Sequence, residues 1–418
     1  MAPTSRRSAR RTFPYAVAIA YVLVLLEAGS HAQQPGPAPL TFEGALQLAA
    51  TRNLAVEAAR RQRAIREAAV RAARQLPNPD LSAEISRDVP HQAVNLDFPI
   101  EIGRKRGRRV DLAQEELTLA ELDVLTELRI VRREVREGFY SLVAADERVR
   151  LTEVALDIAR RLRDAAQARF ETGAAPRLEV LQSDLGVTRA ETDLDLARSL
   201  RAAGASTLNG VLNLPPSDGL AIAGSLADHT SAPSYQAALA LASASNTDLK
   251  NFDRQLAIEQ RRIDLLRAER LPTPVFSVGG VFNAPGEFDA GARAGISIGL
   301  PLFSRNQGEI AGSIATMSHL RAQRDATERV VENAVFGVVA RIEAQRRQAD
   351  AYLQRLVPTA ADLELLSEES YRAGRTSVLG VLDAQRSLRE LRIEALQAQL
   401  EMQLSLAELE ELLGAPLP

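Results

Sequence analysis

The chain contains no cysteine, which excludes disulfides, thiolate metal sites, a cysteine nucleophile and an N-terminal lipid anchor on cysteine. Tryptophan is absent too, and aromatic residues make up only 4% of the 418 positions. That is thin material for a compact enzyme core. Histidines are few: His31, His91, His229 and His319 are scattered, none at metal-ligand spacing, and each reads as a surface or packing residue. Neither a phosphate-cradling glycine loop nor a nucleophile elbow is present. A formal charge of −3 gives bulk electrostatics no polyanionic partner to favour. Beyond Ala32 no apolar run approaches the ~20 residues that a membrane helix needs. The residues thus point away from an enzyme and call for no cofactor and no metal.

What is abundant is Ala, Leu, Arg and Glu, the mixture of long packed helices. Residues 1–32 read as a secretory signal peptide. Arg6, Arg7, Arg10 and Arg11 form the basic start, Ala16 to Leu26 the apolar stretch, and Ser30-His31-Ala32 the small-residue cleavage site. The string Arg10-Arg11-Thr12-Phe13 also resembles a twin-arginine signal. The general secretory route is favoured, because nothing suggests a folded, cofactor-loaded cargo.

The chain says almost the same thing twice. Residues 168–216 align without a gap on residues 369–417 at a constant offset of 201. That register matches Phe170 with Tyr371, Gly173 with Gly374, Leu178 with Leu379, Leu212 with Leu413 and Pro215 with Pro416. Earlier in each half, Ala45-Leu46 and Asn53 answer to Ala238-Leu239 and Asn246. A unit near 200 residues is too long for a solenoid repeat, so the chain reads as a duplicated helical module. The expected organisation is a linker at 33–40, a first repeat at 41–216, a second linker at 217–233 and a second repeat at 234–418.

Each half reads helix, two strands, very long helix, turn, helix. Thr41 to Leu76 is Ala-rich and proline-free with apolar residues at helical spacing, and Pro77 and Pro79 end it. The period then changes to strict alternation in Leu81–Ser86 and Val94–Phe98, placing strands within about 80–100. In the second half Phe276, Val278 and Phe282, then Ala294, Ile296, Ile298 and Leu300, define strands within about 275–301. Residues 283–290 form the turn between them. Strands of about 8–10 residues suit a tilted membrane strand. Four cannot close a barrel, since eight is the smallest usual number, so spanning would require oligomerisation.

No proline occurs between Pro99 and Pro176 or between Pro301 and Pro358. A helix from Arg104 to Thr172 would extend ~100 Å, with Gly138 the favoured place for a break. The final helix carries Leu388, Leu391, Leu396, Leu400, Leu404, Leu409 and Leu412 as a packing seam.

Two features invite a functional reading. The run Gly103-Arg104-Lys105-Arg106-Gly107-Arg108-Arg109 resembles a nucleic-acid patch, but an exported protein meets little nucleic acid. Its expected role is at a membrane-water boundary, with Arg104, Lys105, Arg106 and Arg109 reaching lipid phosphates. The turns at Gly173 and Gly374 each follow an aromatic (Phe170, Tyr371) at a hairpin tip. Plain αα-hairpins with glycine caps account for their geometry. Docking of a partner, or closure of an aperture, is the functional expectation added to it.

At this point the chain resembles a TolC-like outer-membrane efflux protein across Leu40 to Leu417. The strings Arg169-Phe170-Glu171-Thr172-Gly173 with Leu178-Glu179-Val180-Leu181, and Tyr371-Arg372-Ala373-Gly374 with Val378-Leu379-Gly380-Val381-Leu382-Asp383-Ala384, carry the likeness. So does Leu300-Pro301-Leu302-Phe303-Ser304-Arg305-Asn306-Gln307-Gly308. Phe98-Pro99-Ile100-Glu101-Ile102-Gly103-Arg104 resembles the heavy-metal (CzcC-like) branch, with Arg104 in place of that segment's usual second glycine.

The resemblance implies a mainly α fold with a small β part. Long-helix hairpins would form a trimeric α-helical periplasmic barrel, and four strands per protomer would share a 12-stranded outer-membrane β-barrel, closing the edges that four strands leave open. It also implies a passive exit duct for heavy-metal cations, working with a periplasmic adaptor (membrane fusion) protein and an inner-membrane RND-type pump. Its setting would be the outer membrane of a Gram-negative bacterium, with a large periplasmic portion. Asp383 and Glu179 match acidic positions at the periplasmic aperture, while Gly380 replaces a second acidic position. The tips at Phe170, Gly173, Tyr371 and Gly374 would receive the adaptor. Alternatives are a drug or type I protein export channel of the same fold and, more weakly, a periplasmic coiled-coil adaptor or scaffold.

Overall fold

An asparagine sets the first break in the chain. In the computed structural model, which describes residues 39–227, 232–286 and 288–417, helices α1 (Phe42–Arg52) and α2 (Leu54–Ala73) are separated by Asn53 alone. The Asn53 Oδ1 accepts from the backbone N–H groups of Ala55 and Val56 at 2.9 and 3.3 Å, and Nδ2 donates to the Val211 carbonyl at 2.9 Å. Such a side chain caps the helix that follows it. The single helix expected from Thr41 to Leu76 is therefore two helices, the second ending at Ala73. The expected signal peptide at residues 1–32, with His31, and also His229 lie outside the described residues.

Strands β1 (Asp80–Ile85) and β2 (Gln92–Pro99) follow, then α3 (Lys105–Glu171) and α4 (Arg177–Val211). The second half repeats the order with α5 (Tyr235–Ser245), α6 (Thr247–Glu269), β3 (Pro274–Ala284), β4 (Phe288–Ile298) and α7 (Gln307–Ala351). A π-helical turn (Tyr352–Leu356), α8 (Val357–Arg372) and α9 (Val378–Leu413) complete it. Asn246 acts between α5 and α6 as Asn53 does, accepting from Asp248 and Leu249 and donating to the Leu412 carbonyl at 2.8 Å.

Helix α3 runs 67 residues without a break, about 100 Å at 1.5 Å per residue. The break expected at Gly138 is absent. A glycine costs a helix only about 1 kcal/mol relative to alanine, and buried Val135, Phe139 and Leu142 anchor α3 on both sides of it. A Cβ at Gly138 would lie 3.3 Å from the Leu208 side chain, so its bareness serves the close approach of α4. In the second half Pro358 falls at the start of α8, directly after the π turn. Proline has no N–H to give the preceding turn, and a wider turn lets the rod continue past it.

The core shows the duplication directly. Ala45, Ala49, Val131, Val135, Leu208 and Leu212 form one buried cluster, and Ala238, Ala242, Val331, Val335, Leu409 and Leu413 form its counterpart. Part of the α9 leucine seam packs there, Leu396 and Leu400 in the first cluster and Leu409 and Leu412 in the second; Leu388 is buried outside both, with Leu391 and Leu404 half-buried. Among the ion pairs that tie the halves together, one is nearly fully buried. Arg136 of α3 lies 3.1 Å from Glu410 of α9, with the two side chains only 3% and 5% exposed. Arg136 also donates to the Gln403 Oε1 at 3.1 Å and sits 5.6 Å over the Phe42 and Tyr140 rings.

The four strands make one antiparallel sheet in the order β1-β2-β3-β4. They run 6, 8, 11 and 11 residues rather than a uniform 8–10. The turn expected at 283–290 is tighter, because pairing continues to Ala284 opposite Phe288.

Candidate functional site

The sheet has two faces of opposite chemistry. By cross-strand register, Leu81, Ala83 and Ile85 lie beside Val94, Leu96 and Phe98, then Phe276, Val278, Gly280 and Phe282, then Ile298, Ile296, Ala294, Ala292 and Ala290. Gln92 aside, every residue on that face is apolar. The other face carries Asp80, Ser82, Glu84, Asn95, Asp97, Ser277, Ser297, Arg293 and Asp289. The apolar face is open: Ile85 is 85% exposed and Ile296 70%. Among the described residues, neither edge strand, β1 nor β4, has a partner on its outer side. An exposed apolar sheet with unpaired edges would aggregate in water, but lipid on one face and closure by further strands resolves both defects. No helix of the described residues is long and apolar enough to cross a membrane.

Below the sheet, the expected basic cluster splits in two. Lys105 is buried and donates from Nζ to the Thr273 Oγ1 at 2.6 Å. Arg109 donates to Glu101 at 2.7 and 3.2 Å and to the carbonyls of Ala73 and Gln75. These two lock the strand-to-helix junction and do not reach outward. Arg104 and Arg106 remain exposed. The hydrogen bond from Arg109, with the charges of Arg109, Lys105 and Arg106, holds the Glu101 carboxyl below its ordinary value against the opposing effect of burial. A depressed folded value means the junction gains stability above the ordinary carboxylate range and loses it as pH falls through the depressed value. Glu101→Gln should therefore lower the denaturation midpoint at neutral pH, with the gap to the native protein closing below about pH 4.

At the far end, the hairpin tips are built identically. Gly173 N–H donates to the Phe170 carbonyl and Ala174 N–H to the Arg169 carbonyl; Gly374 donates to Tyr371 and Arg375 to Ser370 in the same way, all at 2.8–2.9 Å. Both glycines hold positive φ, +73° and +69°, with open space around them, the left-handed helix end that glycine adopts without strain. Phe170 is 40% exposed whereas its counterpart Tyr371 is 2% exposed.

Tyr371 is buried because it joins the two hairpins. Its hydroxyl donates to the Glu179 Oε2 at 3.2 Å, the Arg169 guanidinium lies 4.4 Å over its ring, and Arg169 lies 3.8 Å from Glu179. Burial, followed by smaller contributions that include the Glu179 charge, raises the Tyr371 hydroxyl above its ordinary value. The tyrosine therefore stays a protonated donor at physiological pH. Asp383 stands elsewhere, exposed at the rim of a groove of about 340 Å³ beside Leu382, Arg386 and Arg389. The two acidic residues expected at one aperture thus differ: Asp383 is free to face solvent, while Glu179 is engaged with the second hairpin. Arg169 and the Arg136–Glu410 pair escaped the sequence reading. Arg169 lies 202 positions from the Tyr371 ring it covers and Arg136 lies 274 from Glu410, and no local spacing reports such contacts.

The fold is that of solved outer-membrane channels. The chain superposes on CusC with a TM-score of 0.73 at 16% identity, covering 90% of this chain and 92% of that one. MtrE of Neisseria gonorrhoeae, solved in its open state, gives 0.72 at 17%, with 90% and 89% covered. VceC of Vibrio cholerae gives 0.71 at 14%, with 90% and 97% covered. The outer membrane efflux protein family model matches residues 45–214 and 238–415, and the chain belongs to that family. It is also 26% identical over 362 residues to the cobalt-zinc-cadmium resistance protein CzcC of Cupriavidus metallidurans, covering 86% of each chain.

Proposed function

We propose that this protein is the outer-membrane exit duct of a tripartite efflux system. Three copies complete a 12-stranded barrel, and their helices continue it as a tunnel through the periplasm. The duct is passive: an inner-membrane RND-type pump supplies the energy and a periplasmic adaptor bridges the two. Heavy-metal cations are the proposed cargo, on the strength of the likeness to CzcC.

The observation that carries the reading is the four-stranded sheet, apolar on one face, polar on the other and, among the described residues, unpaired at both edges. Strand β4, at about 3.4 Å per residue and tilted by about 40°, covers close to the ~25 Å apolar band of outer-membrane barrels. The polar face would line a water-filled lumen. The mature protein should sediment with outer membranes, migrate on gels in a heat-modifiable way and have the mass of three chains after subtraction of detergent. A detergent-independent soluble monomer would overturn the proposal. Deletion of the gene should sensitise cells to divalent metals in a growth panel of metals and antibiotics. Sensitivity confined to drugs would reassign the cargo.

Asp383 is the proposed residue of the periplasmic aperture, where three copies around an axis would form an anionic ring that favours cations. Asp383→Ala should reduce cation over anion permeability severalfold, read as a shift in reversal potential under a salt gradient. An unchanged reversal potential would remove Asp383 from the ion path. The exposed tips at Phe170, Gly173 and Gly374 are the proposed adaptor contacts. Replacing either glycine by valine strains a positive-φ position, with trimers expected intact and adaptor crosslinking reduced. Crosslinking at normal yield would move the docking site elsewhere.

A further inference from the structure

We infer that the two strand-to-helix junctions, residues 99–106 and 299–306, form a collar that seats in the phospholipid leaflet on the periplasmic side of the barrel. The inference rests on the proposed membrane orientation and adds a lipid-contact site outside the strands.

The ends of β2 and β4 lie at one rim of the sheet, with the start of β3 between them. Pro274 pairs with Ile298, and Ile100 N–H donates to the Pro274 carbonyl at 2.7 Å. Beyond the strands both segments continue the apolar alternation into the loops. Phe98 is followed by Ile100 and Ile102 at 49% and 38% exposure, and Ile298 by Leu300 and Leu302 at 67% and 62%. Phe303 is 92% exposed, the most exposed of the large apolar residues described.

That exposure is imposed by hydrogen bonds. The Gln307 Oε1 accepts from the Arg305 backbone N–H at 2.7 Å, and Gln307 Nε2 donates to the Phe303 carbonyl at 3.2 Å. Arg270 Nε donates to the Arg305 carbonyl at 2.8 Å, and Arg305 Nε to the Pro301 carbonyl at 3.2 Å. A loop fixed in this way holds its phenylalanine outward, against the tendency of apolar groups to fold inward.

Charge follows the apolar residues in both loops. Arg104 and Arg106 come after Ile102, Arg305 comes after Phe303, and Arg270 binds the second loop. All four are exposed, and among the described residues none has a carboxylate within 4.0 Å, although most arginines of the long helices are paired. Hydrocarbon-seeking side chains followed by unpaired guanidinium groups reproduce the passage from acyl chain to phosphate. Arginine suits the second layer, because its planar fork engages phosphate oxygens bidentately. The continuity of the collar with the lipid-facing sheet commits the occupant to phospholipid, rather than soluble phosphate or a second protein.

The protein contains no tryptophan, so Phe303→Trp creates a single tryptophan per chain, at equivalent places in the full trimer. The variant would be placed in vesicles of phosphatidylethanolamine and phosphatidylglycerol, about 3:1, with bromine near the headgroup or near the bilayer centre of the acyl chains. Bromine near the headgroup should quench about half of the emission or more, and bromine at the centre clearly less. Leu302→Trp should behave alike, and Arg270→Gln with Arg305→Gln should weaken the shallow quenching. Phe282→Trp, on the apolar sheet face, is the control for the membrane reading itself. Quenching of Phe282→Trp without quenching of Phe303→Trp overturns the collar and leaves the barrel standing. Blue-shifted emission from Phe303→Trp that no brominated lipid quenches also overturns it, and assigns the loop to a contact between copies. Quenching of neither reporter would overturn the membrane orientation together with the collar.

Discussion

Arg136→Met should be the most damaging single substitution outside the sheet, costing about 3–5 kcal/mol per protomer. The reason is what it leaves behind. Glu410 is 5% exposed and has Arg136 at 3.1 Å, with Arg132 next at 3.5 Å. Removing the nearer guanidinium leaves a buried carboxylate to the longer Arg132 contact and the Leu417 N–H at 3.1 Å, and it also removes a donor to the buried Gln403 Oε1. Coulomb attraction in the intact pair does not have to exceed the cost of desolvating both ions for this loss to be large. Pairing Arg136→Met with Glu410→Leu should therefore recover much of the deficit, because both charges leave together. The denaturation midpoint of the detergent-solubilised protein reads both effects. A double variant as unstable as the single one would show that the aromatic contacts of Arg136, and not the ion pair, carry its weight.

Opening of the tips should follow from loosening the contact between hairpins. Tyr371→Phe removes the hydroxyl that donates to Glu179, and Arg169→Ala removes both the cation over the ring and the ion pair. A hydrogen bond to a charged acceptor contributes roughly 1.5–3 kcal/mol, and a cation over an aromatic face about 0.5–2 kcal/mol. In the proposed trimer the contact occurs three times around the axis, so a combined loss of several kcal/mol shifts a closed-to-open ratio by a factor on the order of 10² or more. Planar-bilayer recordings of Tyr371→Phe/Arg169→Ala should show larger conductance than the native channel and more time spent open. Conductance equal to native would mean that Tyr371 packs the tip without holding it shut.

The hairpin tips also show how unevenly a sequence discloses a site. Gly173 and Gly374 were legible because a left-handed helix end is a local requirement, met by one residue type within a few positions. Alternation in Leu81–Ser86 and Ala294–Leu300 was legible for a similar reason, since a strand with unlike faces repeats every two residues. The Gly138 expectation failed because helix propensity is a weak local preference, and the packing of Phe139 and Leu142 outweighs it. Asn53 was seen as a repeat marker but not as a helix break. Its effect depends on Val211, 158 residues away, accepting its amide. Lys105 and Arg109 read as outward-facing charges because spacing alone cannot say which cation finds a partner in the fold, Thr273 or Glu101, and which finds water.

Duplication, long rods and a pair of two-faced strand hairpins were fixed by order and periodicity alone, as these are properties of neighbours along the chain. Which half touches which was decided only in three dimensions: Arg136 with Glu410, Tyr371 with Glu179 and Arg169, β2 beside β3. Those contacts join residues far apart in sequence, and their energies depend on burial, which no local pattern encodes.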